Sequence, residues 1–109
     1  MDRTGPGLVA RIKEIAPGCY TERDGGNWYA LTPDHDRLGE DFERRDDGRR
    51  LILWLAGDDL PKGWAFKPCG DGRLSYDVDC GQGFRATLWI RAARRAFPAR
   101  AAEIEGKRS

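Results

Sequence analysis

The longest apolar run in the chain is Leu51-Ile52-Leu53-Trp54-Leu55-Ala56, preceded by Arg49-Arg50 and followed by Gly57-Asp58-Asp59. A strand with one wet face alternates apolar and polar side chains, because successive side chains point to opposite sides. This run does not alternate, so it predicts a central strand over residues 50–57, covered on both faces or covered on one and adhesive on the other. Leu51, Leu53 and Leu55 then point to one side, Ile52 and Trp54 to the other.

The remaining pattern supplies the elements around that strand. Leu8, Val9, Ile12, Ile15 and Ala16 recur at helical spacing, with Pro6 suited to a first turn and Pro17-Gly18 as the stop, so residues 5–16 predict an amphipathic helix. Asp24-Gly25-Gly26 marks a turn, and Trp28–Thr32 predicts a strand ended by Pro33. Residues 33–46 admit two readings. One is a helix beginning near Thr32-Pro33 and capped by Gly48. The other, preferred because Gly39 interrupts the segment and only Leu38 and Phe42 are apolar, is a loop, a strand near 42–46, and Asp47-Gly48 as a two-residue hairpin turn.

Trp64–Phe66 and Leu74–Cys80 alternate strictly and predict a hairpin closed by Cys69-Gly70-Asp71-Gly72, with Leu74, Tyr76, Val78 and Cys80 on its dry side. Ala86, Trp89, Ile90, Ala93, Ala96 and Phe97 fall on one helical stripe with Thr87, Arg91, Arg94 and Arg95 opposite. Residues 84–91 also alternate as a strand would, but the Ala- and Arg-rich continuation favours a helix ended at Pro98. A short second helix then runs from Pro98 to Ile104, and residues 106–109 are expected to fray. The predicted fold is α+β: a single small domain with an antiparallel four- or five-stranded meander sheet and an amphipathic helix at each end.

Composition narrows the function classes. The 109 residues are enough for one domain with a modest core. No apolar run approaches the roughly 20 residues of a membrane span, residues 1–6 lack the apolar stretch of a signal peptide, and three cysteines do not make a disulfide framework. The expectation is a cytoplasmic protein that is a monomer or homodimer, with no membrane partner. The net charge of +1 gives no global attraction to nucleic acid. Its distribution is uneven: residues 34–47 hold seven acids and three arginines, residues 85–109 seven bases and two acids.

The chemistry-bearing residues give no catalytic constellation and no family signature. His35, the only histidine, lies between Asp34 and Asp36, and adjacent residues rarely converge on one ion. Cys19, Cys69 and Cys80 lack the paired spacing of zinc ligands, and Cys80 reads as a small core residue. Asp77 and Asp79 share a strand face, which reads as a wet surface. The glycine pairs at 70/72 and 81/83 lack the rest of a nucleotide-binding fingerprint. No cofactor or metal is expected, and no enzyme activity.

Two functional readings follow. The first is a non-catalytic protein-binding module, an inhibitor of the phage- or plasmid-encoded anti-CRISPR-like or immunity-like style. Its contacts would be Asp34, Asp36, Glu40 and Asp41 together with Ile52 and Trp54 on the outward sheet face, because an acidic segment suits a basic nucleic-acid-handling partner and a desolvated aromatic supplies affinity. The second is direct nucleic-acid binding through Arg85, Arg91, Arg94, Arg95 and Arg100.

Overall fold

Residues 6–106 are described by the structure, a computed structural model. The elements are α1 (Pro6–Ile15), β1 (Tyr20–Asp24), β2 (Asn27–Leu31), β3 (Arg37–Phe42), α2 (Arg45–Leu55), β4 (Ala65–Pro68), β5 (Ser75–Asp79), β6 (Arg85–Trp89), α3 (Ile90–Ala96) and α4 (Pro98–Gly106). The strands form one antiparallel sheet in the order β1-β2-β3-β6-β5-β4. It is therefore two three-stranded meanders joined along β3 and β6, with α2 carrying the chain from the middle of the sheet to its far edge. The α+β class stands. The strand count is six rather than four or five, and the order is not one continuous meander.

The largest departure from expectation is the 50–57 run. It lies in α2, and Leu51 through Leu55 are all buried. A helical stretch that is apolar all round is an interior one, and the C-terminal half of α2, Leu51–Leu55, is that, while its first half is charged; the helix crosses β1, β2 and β3 on one side and meets α1 on another. Asp47-Gly48 is consequently not a hairpin turn but part of the helix. Gly48 lets α2 approach the sheet, since a Cβ there would come within 3.2 Å of Thr21 and 3.7 Å of Phe42. Asp46 and Asp47 sit in the first turn, where carboxylates complement the helix dipole, and each pairs with an arginine three residues on, Arg49 and Arg50.

The second departure is at residues 84–91. They form strand β6, and the helical period starts only at Ile90. Ala86, Leu88 and Ile90 are buried while Trp89 and Ala96 are not, so the six-residue helical stripe is replaced by a strand face followed by a short helix. Leu74 also leaves its expected place. It precedes β5 and is 64% exposed, whereas Tyr76, Val78 and Cys80 are buried as the alternation requires.

Residues 33–46 differ too: the strand expected near 42–46 lies earlier, as β3, and α2 opens at Arg45, where the Asp46–Arg49 and Asp47–Arg50 pairs favour helix. Strand β1 matches no predicted element. In the remaining elements pattern and structure agree. Leu8 and Ile12 of α1, and Ala16 just after it, are in the core, the 69–72 loop closes the β4–β5 hairpin with Gly70 and Gly72 at positive φ, and the second C-terminal helix starts at Pro98. Gly106 closes α4. Gly5, expected to open the first helix, and the fraying expected of residues 107–109 lie outside the described residues. No helix among the described residues is long and apolar enough to cross a membrane.

Candidate binding surface on the outer sheet face

Directly paired residues of antiparallel strands share a face. Phe66 pairs with Val78 and Val78 with Ala86, while Tyr76 pairs with Leu88 and Leu88 with Gly39. These residues define the side against α2, where a Cβ on Gly39 would meet Leu51. The opposite side carries the row Glu40–Thr87–Asp77–Lys67, with Asp79–Arg85 and Ser75–Trp89 beside it and Glu22 opposite Tyr29 on the far meander. Its side chains are exposed or half-buried throughout β4, β5 and β6.

On this outer face one connected series of contacts crosses the junction of the two meanders. The Tyr29 hydroxyl donates to Asp24 Oδ2 at 2.7 Å. The Arg37 guanidinium stacks over the Tyr29 ring at 4.3 Å and lies 3.7 Å from Glu40 Oε1. The indole Nε1 of Trp89 donates to that same oxygen at 2.7 Å. Each aromatic is thus fixed at its polar end while its ring is only half-buried. Near the β1 edge, Tyr20, Tyr29, His35 and Arg37 line an open hollow of about 610 Å3, and the Tyr20 hydroxyl lies 2.6 Å from His35 Nδ1. Carboxylates outnumber cations on this face: Glu22, Asp24, Glu40, Asp77 and Asp79 against Arg37, Lys67 and Arg85.

The bond to Asp24 raises the Tyr29 phenol above its ordinary value, with partial desolvation adding to it. Expected consequences have a definite sign. The folded state holds this proton longer than the unfolded chain, so its contribution to stability is complete below about pH 10 and is lost as pH rises beyond it. NMR titration of tyrosine ring carbons should show Tyr29 ionising later than in an Asp24→Asn variant. Identical midpoints in the two proteins would mean that the bond is absent in solution.

The sequence-predicted residues are dispersed by this fold. Glu40 belongs to the outer-face network. Asp34 is exposed in the β2–β3 turn, Asp36 is paired with Arg95 at 3.0 Å, and Asp41 is exposed at an irregular step of β3 with φ of 67°. Ile52 and Trp54 are 0% and 3% exposed, so the apolar sheet face expected to carry them does not exist. Trp54 is instead covered: its ring lies against Phe66 at 5.1 Å, and Arg100 stacks on it at 5.4 Å.

The arginines do not gather on one surface. Arg85 is on the outer sheet face, Arg91 is exposed on α3, Arg94 pairs with Glu105, and Arg95 with Asp36. Arg100 donates to the carbonyls of Trp54 and Asp58 at 2.8 and 2.9 Å, tying α4 to the end of α2 and to the loop that follows it. Arg94 and Arg95 are more than half exposed, as the sequence implied. Trp89 was missed as a site residue because it read as part of an apolar helical stripe, and Tyr29 because it read only as one residue of a short strand. The signal that marks Trp89 is alternation: it falls out of phase with Ala86 and Leu88.

Among the described residues no three His, Cys, Asp or Glu side chains cluster as a metal site would require. Burial, with the nearby Asp47 carboxylate adding to it, pushes the Cys80 thiol up to about 12, and burial raises Cys19 too. Both thiols therefore stay protonated at neutral pH and are poor nucleophiles. Comparison with protein-family models, with curated proteins and with solved structures finds no match.

Proposed function

We propose that the protein is a small non-catalytic protein-binding module whose contact surface is the outer sheet face around Trp89, Tyr29 and Glu40. The observation that supports this most is the connected series Asp24–Tyr29–Arg37–Glu40–Trp89. Aromatics held in one orientation lose little freedom on binding, and Trp, Tyr and Arg are the residues that dominate interface energetics. The acidic surplus around them favours a partner with a basic surface, through faster encounter rather than tighter final contact. In its narrower form the proposal is an inhibitor that lays this face over a basic nucleic-acid-binding channel. Direct nucleic-acid binding is the second reading, and the dispersal of the five arginines into separate ion pairs and faces weighs against it.

The test is affinity capture of binding proteins with the parent, followed by kinetics on the retained partner. Trp89→Ala should weaken the complex by about 2 kcal/mol or more, mainly by raising the off-rate. Reversal of Asp77 and Asp79 to Lys should mainly slow association, and the difference should vanish at high salt. A partner that tolerates Trp89→Ala and Tyr29→Ala but is lost on Arg91→Ala would place the interface on the helical side instead.

A further inference from the structure

The end of the sheet away from this face holds a second arrangement, where the N-terminus of α2 meets the β5–β6 turn. Asp47 is 1% exposed, and its two carboxylate oxygens are each taken by an arginine. Oδ2 accepts from Arg44 Nε at 2.8 Å and Oδ1 from Arg50 Nη1 at 2.9 Å. The Arg44 guanidinium also lies 4.6 Å over the Phe84 ring. It is thereby held at one edge and one flat side, while its two terminal amino groups have no partner among the described residues. Lys62 approaches from the α2–β4 loop and makes no ion pair among the described residues. Together with Gln82 these side chains line an open hollow of about 440 Å3.

Three cations and one carboxylate leave a surplus of positive charge in a concave site, and low-dielectric walls concentrate its field. The carboxylate does not fill the hollow's role as an anion, because both its oxygens are spent on orienting the two guanidiniums. A planar guanidinium with free terminal N–H groups suits the oxygens of a tetrahedral oxyanion, and a lysine ammonium adds charge without demanding geometry. We propose that this hollow binds a dianionic phosphate group, with Arg44 and Lys62 as its contacts and Asp47 as the residue that positions Arg44. The site is separate from the outer sheet face, so either assignment stands without the other.

The experiment is a 15N NMR titration of the full chain with inorganic phosphate and, separately, phenyl phosphate, at constant ionic strength maintained with chloride. Saturable shifts are expected at residues 44, 62 and 82 by about 20 mM ligand, as a dissociation constant on the order of 1 mM or tighter requires. Binding of both ligands assigns a phosphate monoester, and binding of inorganic phosphate alone assigns the free ion. Lys62→Gln, at an exposed loop position that leaves the fold intact, should weaken binding several-fold, and Arg44→Gln by about tenfold. Absence of saturable shifts with either ligand overturns the proposal. So does binding whose affinity is the same in the parent and in Lys62→Gln and Arg44→Gln.

Discussion

Truncation of Leu51 and of Ile52 to alanine, one at a time, should each lower the unfolding free energy by about 2–5 kcal/mol. Both side chains are fully buried in α2. Leu51 faces the sheet beside Gly39 and Phe42. Alanine is the best helix former, so local propensity does not add to the loss, and the whole effect is packing and cavity. The pair discriminates between the two conformations this run permits. In a half-covered strand Leu51 and Ile52 point to opposite faces, and only one of the two truncations is costly. In a helix buried on several sides both are. Urea midpoints for the two variants decide it. A parent-like midpoint for Ile52→Ala would return residues 50–57 to a strand with Ile52 and Trp54 outward. Leu53→Ala lacks this power, because Leu53 is buried in either conformation.

How much of the fold was legible follows from the same ambiguity. The first helix, the β4–β5 hairpin and the Pro98 helix each carry a pattern with one period, together with residues that punctuate it. The 51–56 run carries no period, and six apolar residues fit a doubly covered strand or a doubly covered helix equally well. The informative signal lay just before it, in Asp46/Arg49 and Asp47/Arg50. Oppositely charged residues three apart face each other on a helix and do not on a strand. Residues 84–97 failed for the opposite reason. Ile90 belongs to two periods at once, closing the alternation of Ala86 and Leu88 and opening the helical spacing to Ala93 and Phe97. Strand β1, Tyr20–Asp24, is short, polar and at the sheet edge, and Thr21 is its only buried residue, so it has almost no hydrophobic pattern to read. The candidate site was less legible than the fold because its contacts are long-range. Glu40 was visible as one carboxylate among seven in an acidic segment. What distinguishes it from Asp34 and Asp41 is an indole 49 residues away in sequence, and only the β3–β6 pairing brings the two together.

That pairing is only two residue pairs long, and Gly39→Val should destabilise the protein by about 3 kcal/mol, toward the upper end of what overpacking costs. The pairs Gly39–Leu88 and Glu40–Thr87 are the register on which the two meanders join. A Cβ at position 39 would fall 2.9 Å from the Thr87 carbonyl oxygen, 2.6 Å from Leu51 Cδ2 and 3.0 Å from Phe42 Cε2. The first contact is with backbone, which can yield only by parting the strands. The second is with the end of a side chain, which can be removed. Combining Gly39→Val with Leu51→Ala should therefore cost less than the two single losses together, by about 1 kcal/mol, because the valine then fills part of the cavity left by the leucine. The Thr87 contact persists, so the rescue is partial, and the double variant should remain less stable than Leu51→Ala alone. Chemical denaturation of the four proteins in this cycle measures the coupling directly. Strict additivity would show that Gly39 and Leu51 do not touch, and with that the packing of α2 against the β3–β6 junction would have to be redrawn.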